Sequence, residues 1–221
     1  MKALPARSLV VVSAGLGQPS TSRLLADRLS VAVDRYLRDV GVEADIEVIE
    51  LREYAQDLTN NLLTGFPSPR LQASLDAVLG ADGLIVVTPI FSASFSGLFK
   101  MFFDVIDRDG LAGKPSLIAA TGGSTRHSLA IDYALRPLFA YLNAAVVATG
   151  VYAAAEDWGG AGVAGVAADS RLVERVDRAA RELAAAMLAG PHRAPADPFE
   201  APVPFEELLR WNSASGRGAD D

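Results

Sequence analysis

Short, almost continuously apolar runs alternate along this chain with longer stretches in which apolar residues recur every third or fourth position. SLVVVSA at 8–14 has no polar face, the pattern of a strand covered on both sides of a parallel sheet. The next stretch, 20–40, places Leu25, Leu29, Ala32, Tyr36 and Val40 near one helical face, with Gly41 as a stop. ADIEVIEL at 44–51 predicts a second strand nearer a sheet edge, pointing Ile46, Val48 and Leu51 inward. A helix over 69–79, a strand over 82–89, a helix over 94–107 and a strand over 114–121 follow in the same alternation. A helix over 127–142, a fifth strand over 144–152 and a closing helix over 170–188 complete it. Residues 52–67 mix turn formers with apolar residues, the pattern of an irregular connection or a subunit contact.

Strands separated by helices belong to the α/β class, and five of them in this order predict a flavodoxin-like three-layer sandwich with a parallel sheet in the order 2-1-3-4-5. One domain is expected over residues 1–190. From 191 the composition changes, because five of the twelve prolines fall in 191–221, so a partly disordered Pro-rich arm is expected there, with Phe199, Phe205, Leu208, Leu209 and Trp211 packing on another surface.

Half of the 221 residues are hydrophobic and 21% are charged, a globular balance with no run long enough to span a membrane. The apolar stretch near the start is short and leads into a polar turn, so a cytoplasmic address is expected. There are no cysteines and two histidines, His127 and His192, which argues against thiol and zinc chemistry. A net charge of −7 without a basic cluster argues against nucleic acid.

In an open parallel sheet, ligands bind beyond the carboxyl ends of the strands. That rule selects three loops. SAGLGQPSTSR at 13–23 turns at Gly15 and Gly17 and offers the hydroxyls of Ser20, Thr21 and Ser22 at a helix start, where free N–H groups favour an anion. A serine-capped turn would look the same without a phosphate. A dinucleotide fingerprint is incomplete, since Ser20 stands at its third glycine. TPIFSASFSG at 88–97 follows a buried strand with Pro89, one aromatic, Phe91, and side chains at Ser92, Ala93 and Ser94 small enough for a flat ring to approach the backbone. TGGSTRHS at 121–128 supplies N–H groups at Gly122 and Gly123 ahead of another helix start. A hydrolase triad of Ser124, His127 and Asp132 is disfavoured, because the sharp G-x-S-x-G turn is missing.

TPIFSASFSGLFKMFFD resembles the T-P-x-Y-x-x-S-x-x-G-x-L-K-x-x-x-D segment of NAD(P)H-dependent FMN reductases. ATGGSTRHSLAIDYALRPLFAYL is similar to the segment after strand four in the subgroup that supplies reduced flavin to two-component, luciferase-like monooxygenases. The resemblance spans about residues 8–188. It implies FMN, with NADPH or NADH as hydride donor, a partner monooxygenase, and a homodimer or homotetramer. It places Ser20, Thr21 and Ser22 at the FMN phosphate, Pro89, Ile90, Phe91, Ser92, Ala93 and Ser94 along the ribityl chain and ring, and Thr121, Gly122, Gly123 and Ser124 at the polar ring edge. Ser13, Gln18 and His127 complete the expected set. Many relatives carry G-S-x-R in the first loop where this chain has Leu16, Gly17 and Gln18, so neutral donors replace a cation there, with Arg23 as a partial compensation. A reductase that keeps its flavin for a quinone, azo or metal-oxyanion substrate, and a flavodoxin-type electron carrier, are the alternatives.

Overall fold

The computed structural model describes residues 6–158 and 169–190. The arm expected at 191–221 lies outside the described residues. At the centre of the sheet β1 (Ala6–Ser13) pairs in parallel with β2 (Glu43–Glu50) on one side and β3 (Gly83–Phe91) on the other. β3 continues the parallel ladder to β5 (Pro115–Gly122), and β5 to β6 (Ala145–Val146) and β7 (Val151–Ala154). Between them, β4 (Ser94–Phe95) folds back antiparallel onto β3. The expected order 2-1-3-4-5 is present, with β6 and β7 as two halves of the fifth strand.

The continuous apolar runs reflect burial on both faces. Leu9 and Val11 point into one core with α1 (Thr21–Asp39) and α6 (Ser170–Leu188). Val10 and Val12 point into the other, against α2 (Ala55–Thr64), α3 (Pro69–Gly80), α4 (Gly97–Asp104) and α5 (Arg136–Tyr141). In this second layer Phe99, Phe103 and Phe139 form a ring cluster with centroids 4.7–6.3 Å apart. β2 is the edge strand, with Glu43, Asp45 and Glu47 exposed on its outer face and Ala44, Ile46 and Val48 packed inward.

Several boundaries differ from expectation. On α1, Val40 is exposed and Val33 and Leu37 take the inward positions, because the helix ends at Asp39. Residues 52–67 are not irregular: a 3-10 turn, Leu51–Tyr54, leads into α2, which stops at Gly65 in the left-handed region (φ 79°). The helix expected from 94 starts at Gly97, capped by Ser96, since 94–95 pair with β3.

The helix expected over 127–142 is divided into a 3-10 turn (Thr125–His127), a wide turn over Ile131–Leu135, in which Arg136 N–H reaches Ile131 O, and α5. Pro137 has no N–H to give to Tyr133 O, so the chain widens by one residue ahead of it. The fifth strand breaks at 147–150. There Arg136 donates to the carbonyls of Val147 and Ala148 (3.3 and 3.1 Å), and Glu182 accepts from Thr149 N–H and hydroxyl (both 2.7 Å). The groups that leave the ladder are thus met by side chains, which is what makes the interruption tolerable.

Candidate active site

All three sequence-selected loops meet at the carboxyl edge of the sheet. The first folds back so closely that a Cβ on Gly15 would overlap Ser20 Oγ and lie 3.0 Å from Ser20 Cβ. Ser20 caps α1 by accepting from Arg23 N at 3.2 Å. Ser22 faces inward. Its hydroxyl pairs at 2.7 Å with that of Thr121, tying the first loop to the end of β5, and both residues are buried. Ser13 is buried beneath the same loop.

The second loop is a two-residue hairpin: Ile90 and Phe91 pair with Phe95 and Ser94, and Ser92 and Ala93 at the tip have φ of 49° and 67°. Positive φ at both central positions matches the twist of the flanking strands, although glycine or asparagine would adopt it at less cost. Thr88, fully buried, accepts from Ser96 N at 3.0 Å and fixes the base of the hairpin.

At the third loop, Tyr152 Oη donates to Ser124 O at 2.7 Å, and a Cβ on Gly122 would overlap that hydroxyl. Burial, with Asp157 and Glu156 adding to it, pushes the Tyr152 phenol up, so the group stays a donor. Gly123 borders open space, where a flat ligand can approach the backbone.

Together these loops form a cleft of about 250 Å³. Thr21 stands at one end, Pro89, Ile90 and Phe91 form one wall, and Thr121, Gly122 and Gly123 form the floor. The opposite wall is one that sequence reasoning missed: Ala153, Ala155 and Trp158, at and beyond the end of β7. Asp157 shapes that turn by accepting from Ala154 N (2.8 Å) and Arg175 Nη2 (3.0 Å). The strand-end rule applied to the fifth strand as well would have singled it out. Ser92, Ala93 and Ser94 lie at the hairpin tip and Ser124 beyond the floor. His127 is exposed on the 3-10 turn and does not line the cleft.

The charge around the first loop differs from expectation. Arg23 does not stand as a free cation, because its guanidinium binds Asp27 (2.7 Å) and Glu50, with the Asp27 hydrogen bond as the main reason its pKa is raised. Arg52, which the sequence reading did not place here, has Nε 2.8 Å from Glu50, and its Nη1 lies 2.6 Å from the Gln18 carbonyl once that amide is oriented to accept. Two guanidiniums therefore face two carboxylates, and the loop has no net formal charge. An anion here meets hydroxyls and N–H groups. Among the described residues no His, Asp or Glu cluster is arranged to hold a metal, and no helix is long and apolar enough to cross a membrane.

Residues 8–159 match the family model described as NADPH-dependent FMN reductase. The chain is 39% identical over 148 residues to the NADH-dependent FMN reductase SfnF of Pseudomonas putida, covering 67% of this chain and 77% of that protein. It is also 39% identical over 150 residues to an FMN reductase (NADPH) of Pseudomonas aeruginosa, covering 68% and 78%. Among solved structures, an oxidoreductase from Corynebacterium diphtheriae superposes with a TM-score of 0.79 at 45% identity, covering 84% of this chain and 98% of that one.

Proposed function

The chain belongs to the NADPH-dependent FMN reductase family, and from that premise we propose that its cleft takes FMN as a substrate, reduces it with NADH or NADPH, and releases it to a flavin-dependent monooxygenase. The observation that carries the reading is the cleft itself, open over Gly123 and joining a hydroxyl-bearing helix start to a small-residue floor. Bound there, FMN supplies the hydride-accepting chemistry.

The protein's part is position and field. Thr21 and the free N–H groups of α1 receive the phosphate, with Ser20 holding the turn. Pro89, Ile90 and Phe91 flank the ring, and the backbone of Gly122 and Gly123 offers N–H groups where charge grows on reduction. Release follows from the neutral surroundings of the phosphate loop and from Phe91 and Trp158 being the aromatics at the cleft. Partner monooxygenase use is supported by the sequence resemblance of the 120–142 segment. A cytoplasmic site of action fits a donor drawn from the nicotinamide nucleotide pool.

The test is anaerobic. A trace of protein with excess NADPH and FMN is expected to bleach the whole flavin pool over many turnovers. Bleaching limited to one equivalent per site would instead make FMN a fixed cofactor for a second substrate.

Glu50→Gln is expected to tighten FMN about 3- to 10-fold and leave riboflavin unchanged, because it removes the carboxylate shared by Arg23 and Arg52, a change of about 1 kcal/mol. Fluorescence titration of both flavins checks this; equal shifts would place the phosphate elsewhere. We also propose a homo-oligomer, dimer or tetramer, in which the segment around the wide turn is a contact, since Leu129, Tyr133 and Tyr141 are all more than 60% exposed. Light scattering across a dilution series should give a multiple of the chain mass, and a constant monomer mass would reject it.

A further inference from the structure

A second concavity lies away from the cleft, on the outer surface of the layer formed by α1 and α6. It is a groove of about 410 Å³ walled by Val31, Ala32, Leu172, Val173 and Val176. Val31 is 68% exposed and Val173 51%, so two valines on neighbouring helices present one apolar strip to solvent. Arg28, Arg35, Asp27 and Asp177 stand on its rim, Arg28 over the ring of Trp158 at 5.0 Å and Arg35 paired with Asp177. The strip is thus apolar, framed by two arginines and two aspartates whose charges balance.

We propose that this groove holds residues 198–211 of the same chain, PFEAPVPFEELLRW. α6 ends at Leu188, and thirty-one residues, 191–221, follow the last described position, Gly190. Val176 lies about 18 Å back along the helix from Leu188. Fully extended, the nine residues from Gly190 to Phe199 span up to about 30 Å, so everything from Phe199 onward reaches the strip. The apolar chemistry matches. Phe205, Leu208 and Leu209 share one face at helical spacing, with Phe199 and Trp211 on either side. The segment's charged residues, Glu200, Glu206, Glu207 and Arg210, can stay at a rim that itself carries both signs. Covering the valines with the segment's leucines removes both apolar surfaces from water at once.

The absence of native cysteine makes the test clean. In the full chain, a single Val173→Cys thiol is expected to react with a maleimide at least tenfold more slowly than the same thiol in a chain that also carries Leu208→Ser and Leu209→Ser. Equal rates overturn the proposal. A second full chain carrying Val31→Cys and Leu209→Cys is then oxidised at high dilution and digested. An intrachain disulfide between the two supports docking within the chain. An interchain disulfide alone assigns the groove to a second copy, and no disulfide leaves it without this occupant; either result rejects the proposal.

Discussion

Gly122→Ala should lower kcat/KM for FMN by roughly 5- to 100-fold and, at about 1–3 kcal/mol of overpacking, lower the melting temperature by about 2–4 °C per kcal/mol, while the circular dichroism spectrum stays close to the parent's. The new Cβ has nowhere to go. It would overlap the hydroxyl of Tyr152, a residue 6% exposed and anchored in β7, so either the floor of the cleft or the third loop must shift. Tyr152→Phe alone should cost less, about 0.5–1.5 kcal/mol, since it removes one hydrogen bond to Ser124 O. The double variant separates this account from a general weakening of the loop. With the hydroxyl gone, the alanine Cβ still has Tyr152 Cζ as a neighbour at 3.0 Å, so partial relief is expected and the two losses should combine to less than their product. Strictly multiplicative losses would mean that the clash does not govern the effect.

The second large effect lies at the opposite edge of the sheet. Lys114 has no exposed surface, and its Nζ donates to Leu79 O at 3.1 Å and to Ala81 O, closing the end of α3. Burial lowers its pKa to about 8, with Asp82 opposing the shift. An unfolded chain holds that proton up to about pH 10.4, so between the two values the unfolded state binds more protons than the folded one, and stability contributed by this group rises with pH. Below about pH 8 both states are charged and the cost of burying the ammonium is felt in full. Lys114→Met orphans two carbonyls, at about 1–3 kcal/mol each, but also removes that cost. Urea denaturation at pH 7 to 10 should therefore show the parent's advantage over Lys114→Met widening by about 2–3 kcal/mol as pH rises through this window. An advantage that is flat with pH would show that the lysine is not strained by its burial.

The parallel sheet was legible because both of its faces are covered, so β1, β3 and β5 read as unbroken apolar runs and the helices between them keep one apolar side. Signals failed where a side chain at a distance decides the backbone. α2 buries Leu58 and the polar Asn61, which hides its amphipathic period. The break in the fifth strand is met by Arg136 and Glu182, 11 and 33 residues from their partners in it, and the wide turn depends on a missing donor at Pro137. At the site, chain order exposed three loops but not their pairings. A serine at a helix start looks like a phosphate ligand until Thr121 is found opposite it, and Arg23 looks like a free cation until Glu50 closes on it. Trp158 belongs to the cleft through the position of β7, which periodicity alone does not give.

The edge strand also limits how copies of the chain can meet. If two β2 strands joined antiparallel to make one continuous sheet, the row of Glu43, Asp45 and Glu47 would face its own image, carboxylate opposite carboxylate. That arrangement is unfavourable wherever the row is ionised, and it guards the open hydrogen-bonding groups of the strand against growth of the sheet from chain to chain. A pair of chains that respects this row would have to meet through other faces and leave the strand edge free.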